Sequence, residues 1–362
     1  MKVLHIINSL ATGGAEKLII DSLPLYNEVE NVNASLSLLD AQDYPFYKEF
    51  KKKNKGKINV IEFSKGSIYN PFHLFKIIPI LAKYDVIHVH LFPALYWVAL
   101  AKFFSRSKTK LVFTEHSTNN KRISNVIFRQ FDKLIYKNYS KIICISEEVK
   151  IQLSKLLSIK DSKLIVINNG INLNKIKEAQ KYNRQEFGYS NTDFLLVMVA
   201  AFRTEKDHET LIRTVRELPP QYKLLLVGDG DRRTIIEEFV KNLNMADRVE
   251  FLGIRLDVFS ILKMCDVAVL SSHWEGFGLA AVEAMAAGVP VIASDVKGLS
   301  EVVEGGGVLF EKGNSDALER KIIEITQNKE LYNELIVAGQ KKAQNYDINI
   351  SVSKITNTYL CL

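Results

Sequence analysis

Two carboxylates eight residues apart, Glu275 and Glu283, bracket the run Gly276-Phe277-Gly278-Leu279-Ala280-Ala281-Val282, and Gly288 and Pro290 close it. This pattern predicts a loop bearing Glu275, a short helix opening near Gly278 and bearing Glu283, a stop at Gly288, and a buried strand beyond. Glycines at 276 and 278 let backbone N–H groups approach a ligand with no Cβ in the way, and a helix N-terminus favours negative charge. Carboxylates presented from a loop and a helix can both accept hydrogen bonds from hydroxyl groups. Together these features suit a ligand with an anionic part and a polyol part. A sugar nucleotide has both.

Other residues carry complementary chemistry. Arg203 and Lys206 follow the apolar run 194–200 and could neutralise a diphosphate, the guanidinium in a bidentate manner and the ammonium as a point charge. Gly13-Gly14 lies between the first strand and first helix, where open α/β sheets bind ligands, although G-x-G-x-x-G is absent. The Asp-x-Asp in Gly228-Asp229-Gly230-Asp231 occurs in a strand–turn–helix context. There Asp231 is expected as an N-cap and Asp229 as a turn residue rather than as metal ligands. Histidines at 5, 88, 90, 116 and 208 show no metal-binding spacing. His88 and His90 share one face of a strand and read as a partly buried polar end. His116 ends the strand 112–116, at the edge where ligands bind.

These residues need a scaffold of alternating strands and helices. Apolar runs at 2–8, 60–63, 85–90, 110–114, 141–145 and 164–167 alternate with helical patterns at 15–26, 72–83, 93–104, 123–139 and from 147. The scheme repeats in the second half. Strands are expected at 194–200, 222–227, 249–252, 266–270 and 308–310, with helices at 208–217, 232–243, 258–264, 316–327 and 329–344. Alternation of this kind implies doubly wound parallel sheets. At 362 residues, two such domains are expected. Their limits are placed at 1–168 and 169–348, with 172–193 as a polar linker and 349–362 as a helix returning to the first domain. Paired open sheets imply a cleft between their strand ends.

Composition narrows the class. The chain is 47% hydrophobic and 25% charged, as in an ordinary globular protein. Its three cysteines are widely spaced, which suits reduced core residues. No signal peptide is visible, and the longest apolar run, 91–104, is too short to span a bilayer. A cytoplasmic location is expected. Residues 1–168 carry 25 Lys+Arg against 14 Asp+Glu, whereas 169–362 carry 23 against 27. The basic first half therefore faces something anionic. Lys51-Lys52-Lys53-Asn54-Lys55-Gly56-Lys57, Phe103-Phe104-Ser105-Arg106, and 122–141 with Phe128, Phe131, Tyr136 and Tyr139 interleave cations with apolar side chains. That mixture suits peripheral contact with an anionic membrane. No nucleic-acid module is present, so no nucleic-acid partner is expected.

The ordered set of motifs resembles the retaining glycosyltransferases of family 4, which have the GT-B fold of two Rossmann-like domains facing across a cleft. The resemblance rests on Glu275-Gly276-Phe277-Gly278 through Glu283, an E-x7-E signature. It extends through Gly13-Gly14-Ala15-Glu16, 85–90, Thr114-Glu115-His116, Ile167-Asn168-Asn169-Gly170, Lys206-Asp207-His208, Val227-Gly228-Asp229-Gly230 and Phe251-Leu252-Gly253. It implies transfer of a hexosyl group from a nucleotide-diphosphate sugar to a saccharide or polyprenyl-linked acceptor in surface polysaccharide or glycoconjugate synthesis. No metal or other cofactor is implied.

The same resemblance implies the roles. Glu283 holds the ribose, Glu275 contacts the donor sugar, and the amides of Phe277, Gly278 and Leu279 meet its hydroxyls or the diphosphate. Arg203, Lys206 and Gly14 bind the diphosphate. His116 sits near the transferring centre, Gly228 lies in the donor site, and the backbone near Ile254 meets the base. The family's Gly-Arg-Leu reads Ala200-Ala201-Phe202 here, so Arg203 is taken as the substitute cation. A sugar-nucleotide 2-epimerase of the same fold, or a non-catalytic sugar-nucleotide-binding protein, are the alternatives.

Overall fold

The computed structural model describes residues 1–117 and 126–362. The chain divides into two compact units, Met1–Gly170 with Ile348–Leu362, and Ile171–Asp347. Each is built on an all-parallel sheet whose strands are covered on both faces, which is why they read as nearly continuous apolar runs.

In the first unit the strands are β1 (Lys2–Ile7), β2 (Asn33–Leu38), β3 (Val60–Glu62), β4 (Val86–His90), β5 (Lys110–Glu115), β6 (Lys141–Cys144) and β7 (Leu164–Val166). They lie in the order β3-β2-β1-β4-β5-β6-β7. Strand order reverses between β1 and β4, the usual place for a ligand in an open sheet. β2 escapes the sequence reading because Ser35 and Ser37 interrupt its apolar pattern; both are buried nonetheless, since helices cover that face too. The helix Pro45–Asn54 was likewise not expected. It converts the lysine run from a loop into a helix C-terminus, where Lys51, Lys52 and Lys53 complement the carbonyl end of the dipole. Lys51 pairs with Asp43 at 3.2 Å and Lys53 with Glu49. Of the expected helix 123–139, Val126–Lys137 is described, and residues 122–125 lie outside the described residues.

In the second unit the strands are β8 (Phe194–Val199), β9 (Tyr222–Val227), β10 (Val249–Gly253), β11 (Val267–Leu270), β12 (Val291–Ser294) and β13 (Val308–Phe310), in the order β10-β9-β8-β11-β12-β13. The stretch 172–193 is not a linker. It folds as the helix Leu173–Glu178 and the turn Arg184–Phe187, and polar groups fasten it to the sheet layer. Arg184 pairs with Asp266, Tyr182 donates to Asp257 at 2.6 Å, and Lys263 donates to the carbonyls of Lys177 and Ala179. Its polar composition misled because these polar groups are used for docking rather than solvation.

The chain leaves the first unit after Gly170 and returns at Ile348. The helix Ile348–Leu360 then packs on the helix Gly14–Tyr26 and puts Ile348, Val352 and Tyr359 into the first core. A Cβ at Gly170 would overlap the Ile348 backbone, so only glycine allows the returning helix to sit there. Gly170→Ala is expected to cost about 1–3 kcal/mol through overpacking. Urea titration against Gly66→Ala, where a Cβ meets nothing within 4 Å, checks it; equal midpoints would refute the packing argument.

Candidate functional site

In the second unit the candidate residues follow the carboxyl ends of β8 (Arg203, Lys206), β9 (Gly228), β10 (Ile254) and β11 (Glu275 to Glu283). The turn Thr204–Lys206 is clamped to the segment after β11: the Ser271 hydroxyl donates to the Asp207 carbonyl at 2.8 Å, and His273 N–H donates to the Glu205 carbonyl at 2.8 Å. Ser294 donates to the Ser272 carbonyl at 2.6 Å, which ties β12 to the same segment. Asp207, at φ +48°, caps the helix His208–Glu217 by accepting from Thr210 N–H and the Thr210 hydroxyl. These bonds carry Lys206 onto Glu275, and the two form a partly buried ion pair. The cation expected for a diphosphate and the carboxylate expected for a sugar are therefore neighbours.

The helix after Glu275 runs Leu279–Ala286, with Gly278 as N-cap at φ +92°. Gly278 lies against Leu299, and no side chain caps the helix, so its first amides depend on backbone or ligand partners. Phe277 is buried and packs edge-on against Tyr346 at 5.3 Å, so its side chain anchors the loop and only its backbone is available to a ligand. Glu283 sits on the buried face of this helix at 7% exposure. The helix ends as expected: Val289 N–H bonds to the Ala284 carbonyl and Gly288 N–H to Met285, a Schellman closure with Gly288 at φ +77°.

The loop Ala200-Ala201-Phe202, where the chain departs from the family pattern, is closely packed on its neighbours. Gly228, at φ +142°, lies so close to the Ala200 carbonyl that no side chain fits. Phe202 is buried in a stack on His208, with ring centroids 4.4 Å apart. Arg203 is exposed, and its guanidinium lies 4.0 Å from Glu205. The sequence reading missed Arg232. It pairs with Glu209, and its backbone N–H donates to the Phe202 carbonyl at 3.0 Å, so a second cation belongs to this loop cluster. Asp231 does not cap the following helix, contrary to expectation. Arg232 occupies the N-cap position, and no side chain caps that end. Asp229 lies 3.8 Å from the Arg233 guanidinium and bonds to Gly230 N–H. Ile254 follows β10 and is 38% exposed.

In the first unit, Gly14 opens the helix Gly14–Tyr26 just past β1. His88 and His90 are not a partly buried strand end; they are buried at 0% and 3% exposure. Parallel register puts His5 of β1 beside His88 of β4. His5 Nδ1 lies 3.2 Å from His90 Nε2, and His90 Nδ1 lies 3.4 Å from His116 Nε2. His88 Nδ1 bonds to the Tyr359 hydroxyl, and its Nε2 lies 2.7 Å from Thr114 Oγ1. Ligand atoms of His5, His88 and His90 come within 4.8 Å of one another, a cluster that chain spacing alone does not reveal. Both nitrogens of His88 are already committed to hydroxyls, so the three rings are not poised to share a cation. Desolvation holds His5 near a pKa of about 3 and His116 near about 4, and keeps His88 and His90 well below the usual value.

Comparison with known proteins converges on one group. The model described as "Glycosyltransferase Family 4" matches residues 41–175, and that described as "Glycosyl transferases group 1" matches residues 179–342. The N-acetyl-alpha-D-glucosaminyl L-malate synthase of Bacillus anthracis is 33% identical over 180 residues, 49% of this chain and 46% of its own. An Escherichia coli UDP-Gal:alpha-D-GlcNAc-diphosphoundecaprenol alpha-1,3-galactosyltransferase is 30% identical over 206 residues, 54% of this chain and 53% of its own. The matches thus span about half the length of these curated relatives. Anabaena Alr3699/HepE, solved in complex with UDP-glucose, is 25% identical and superposes over 100% of both chains with a TM-score of 0.86.

The buried imidazoles predict acid lability. An unfolded histidine titrates near 6.5, whereas His5, His88, His90, His116 and the buried His208 (held near 4 mainly by desolvation) stay neutral far below that. Their contribution is fully present above pH 6.5 and is lost as pH falls from there towards 4, because the unfolded chain takes up protons first. Each histidine can remove up to about 2 kcal/mol between pH 7 and pH 5. Urea midpoints should fall steadily over that window. A flat profile would refute the buried neutral cluster.

Proposed function

Because the chain belongs to the family 4 glycosyltransferases, we propose that it transfers a hexosyl group from a nucleotide-diphosphate sugar to a saccharide or lipid-linked saccharide acceptor, with retention and without a metal. One observation carries this reading: the partly buried Lys206–Glu275 pair set beside the uncapped N-terminus of the helix Leu279–Ala286. Breaking a sugar–diphosphate bond develops positive character on the sugar and negative charge on the leaving group. Lys206, joined by Arg203 and Arg232 of the same loop cluster and by the helix N-terminus, is suited to stabilise the leaving charge. Glu275 is suited to the donor sugar. Glu283 is assigned to the ribose, the amides of Gly278 and Leu279 to donor oxygens, and the backbone beside Gly228 and Ile254 to the nucleotide. Gly14 and His116 are the first unit's assigned substrate contacts. The UDP-glucose held by Anabaena HepE supports a nucleotide-sugar donor.

The acceptor is assigned to the basic first unit. A lipid-linked saccharide is supported by the Escherichia coli relative, whose name specifies a diphosphoundecaprenol acceptor. Among the described residues no helix is long and apolar enough to cross a membrane. We place the protein in the cytoplasm with peripheral membrane contact. The ion-paired lysines of Pro45–Asn54 are poorly suited to that contact. The helices Ala94–Ser105 and Val126–Lys137, joined by a 2.6 Å bond from Tyr96 to Asp132, are better suited. They expose Phe103, Phe104, Phe128, Phe131 and Leu134 by half or more, with Lys102, Arg129, Lys133 and Lys137 on the same helices. Apolar side chains interleaved with cations suit an anionic interface.

Three measurements test these assignments. A thermal-shift panel of UDP-, GDP- and ADP-sugars identifies the donor, since a ligand of the native state raises apparent stability. Calorimetry with that donor in EDTA should then show binding to the wild type and a loss of ~10-fold or more in Lys206→Ala and Glu283→Ala. Unchanged affinity in both variants would sink the site, and magnesium-dependent binding would sink the metal-free reading. For the membrane, wild type should co-float with phosphatidylglycerol vesicles, and Phe103→Ser with Phe131→Ser should abolish this. Charge reversal of Lys51 and Lys53 should leave it intact. Failure of wild type to float rejects the contact.

A further inference from the structure

His5, His90 and His116 form a single hydrogen-bonded file running from the core of the first unit to the end of β5, through His5 Nδ1···His90 Nε2 at 3.2 Å and His90 Nδ1···His116 Nε2 at 3.4 Å. Each ring carries one proton when neutral, and burial keeps these rings neutral. Two links between three singly protonated rings admit only two consistent arrangements. In one, every ring is protonated on Nδ1: His5 donates to His90, His90 donates to His116, and His116 is left with an Nδ1–H. In the other, every ring is protonated on Nε2, the donations run inward, and His116 is left with a bare Nδ1.

The inner end decides between them. His5 Nε2 is fully buried and has no hydrogen-bond partner among the described residues. The first arrangement leaves a bare nitrogen there, and the second strands an N–H donor. Stranded buried N–H groups are the rarer and costlier defect. His88 packs against this file, with its ring 4.2 Å from that of His90, but its own bonds go to Tyr359 and Thr114, so it does not break the sequence of donors.

We propose that His5 and His90 are positioning residues that fix the ring of His116 in the Nδ1–H tautomer, so that His116 offers a hydrogen-bond donor rather than a base to the substrate oxygen it meets. The inference deepens the assignment of His116 as a substrate contact and rests on it. A donor at this place can bind a sugar hydroxyl or a developing negative charge without removing a proton. The tautomer of an imidazole is set by the bond its other nitrogen makes, and here that bond is itself set one ring further in.

Long-range proton–nitrogen correlation spectra of the full chain, labelled with 15N-histidine and recorded at pH 7.5, test this. In wild type, His5, His90 and His116 should each show a protonated Nδ1 and an unprotonated Nε2. His5→Phe keeps an aromatic ring in the core and removes the inner donor. It should move His116, two links away, into a mixture containing the Nε2–H form, and His90→Phe should do so more completely. An Nε2–H tautomer at His116 in wild type overturns the inference with no variant needed. So does an unchanged His116 signal in a His5→Phe protein that still unfolds cooperatively. If His90→Phe does not fold, the other two spectra decide. The underlying assignment is separately exposed: unchanged UDP release from UDP-glucose by a wild type that turns it over and by its His116→Ala variant would remove the substrate role while leaving the tautomer result standing.

Discussion

Parallel pairing with both faces covered makes each sheet a place where polar side chains must find partners within the fold. β1, β4 and β5 are neighbours in register, so His5 stands beside His88, and Thr114 stands beside His90. None of these groups reaches solvent, and an imidazole kept from water stays neutral and seeks hydrogen bonds. The network of three histidines, Thr114 and Tyr359 follows from that constraint. Tyr359 comes from the far end of the chain, so the returning helix completes the polar core as well as the apolar one.

The second unit meets the same constraint with hydroxyls and backbone. Ser271 and Ser294 are fully buried and spend their hydroxyls on carbonyls of adjoining segments, which locks three strand ends together. That locking brings Lys206 to Glu275 across 69 residues of sequence. The pair is only partly buried, and each partner keeps access to a ligand. A fully buried pair would exchange poorly, because separating it leaves an uncompensated buried charge. Gly228 lies too close to the Ala200 carbonyl to carry a side chain, and the stacked Phe202 takes the place where the related pattern has leucine.

Much of this was legible in the sequence where local physics and tertiary context agree. β9 and the helix Val258–Met264 have the limits their apolar runs predict, and the helix after Gly278 closes at Gly288 by its expected C-terminal geometry. The misses occur where tertiary burial overrides composition. β2 went unassigned because its serines break the apolar pattern, and single-strand patterning cannot register a second covering layer. The stretch 172–193 looked like a linker because docking and solvation use the same residue types. Asp231 looked like a cap because Asp is a good one, yet the turn ends one residue later and Arg232 takes the position. The histidine file was hidden because its members are 85 and 26 residues apart.

The two units therefore present different electrostatic materials. The second offers cations already engaged by carboxylates, Lys206 by Glu275 and Arg232 by Glu209, which the diphosphate proposed above would have to displace. Exchange of that kind keeps the loop cluster ordered before the ligand arrives and limits the net gain on binding. The first offers a neutral, prearranged dipole at His116, backed by rings that burial keeps from becoming protonated over the ordinary pH range. A hydrogen bond from a neutral donor strengthens as negative charge grows on the accepting oxygen. On the roles proposed above, the cationic cluster would serve both binding and the leaving charge, and the histidine file would add a neutral donor beside it.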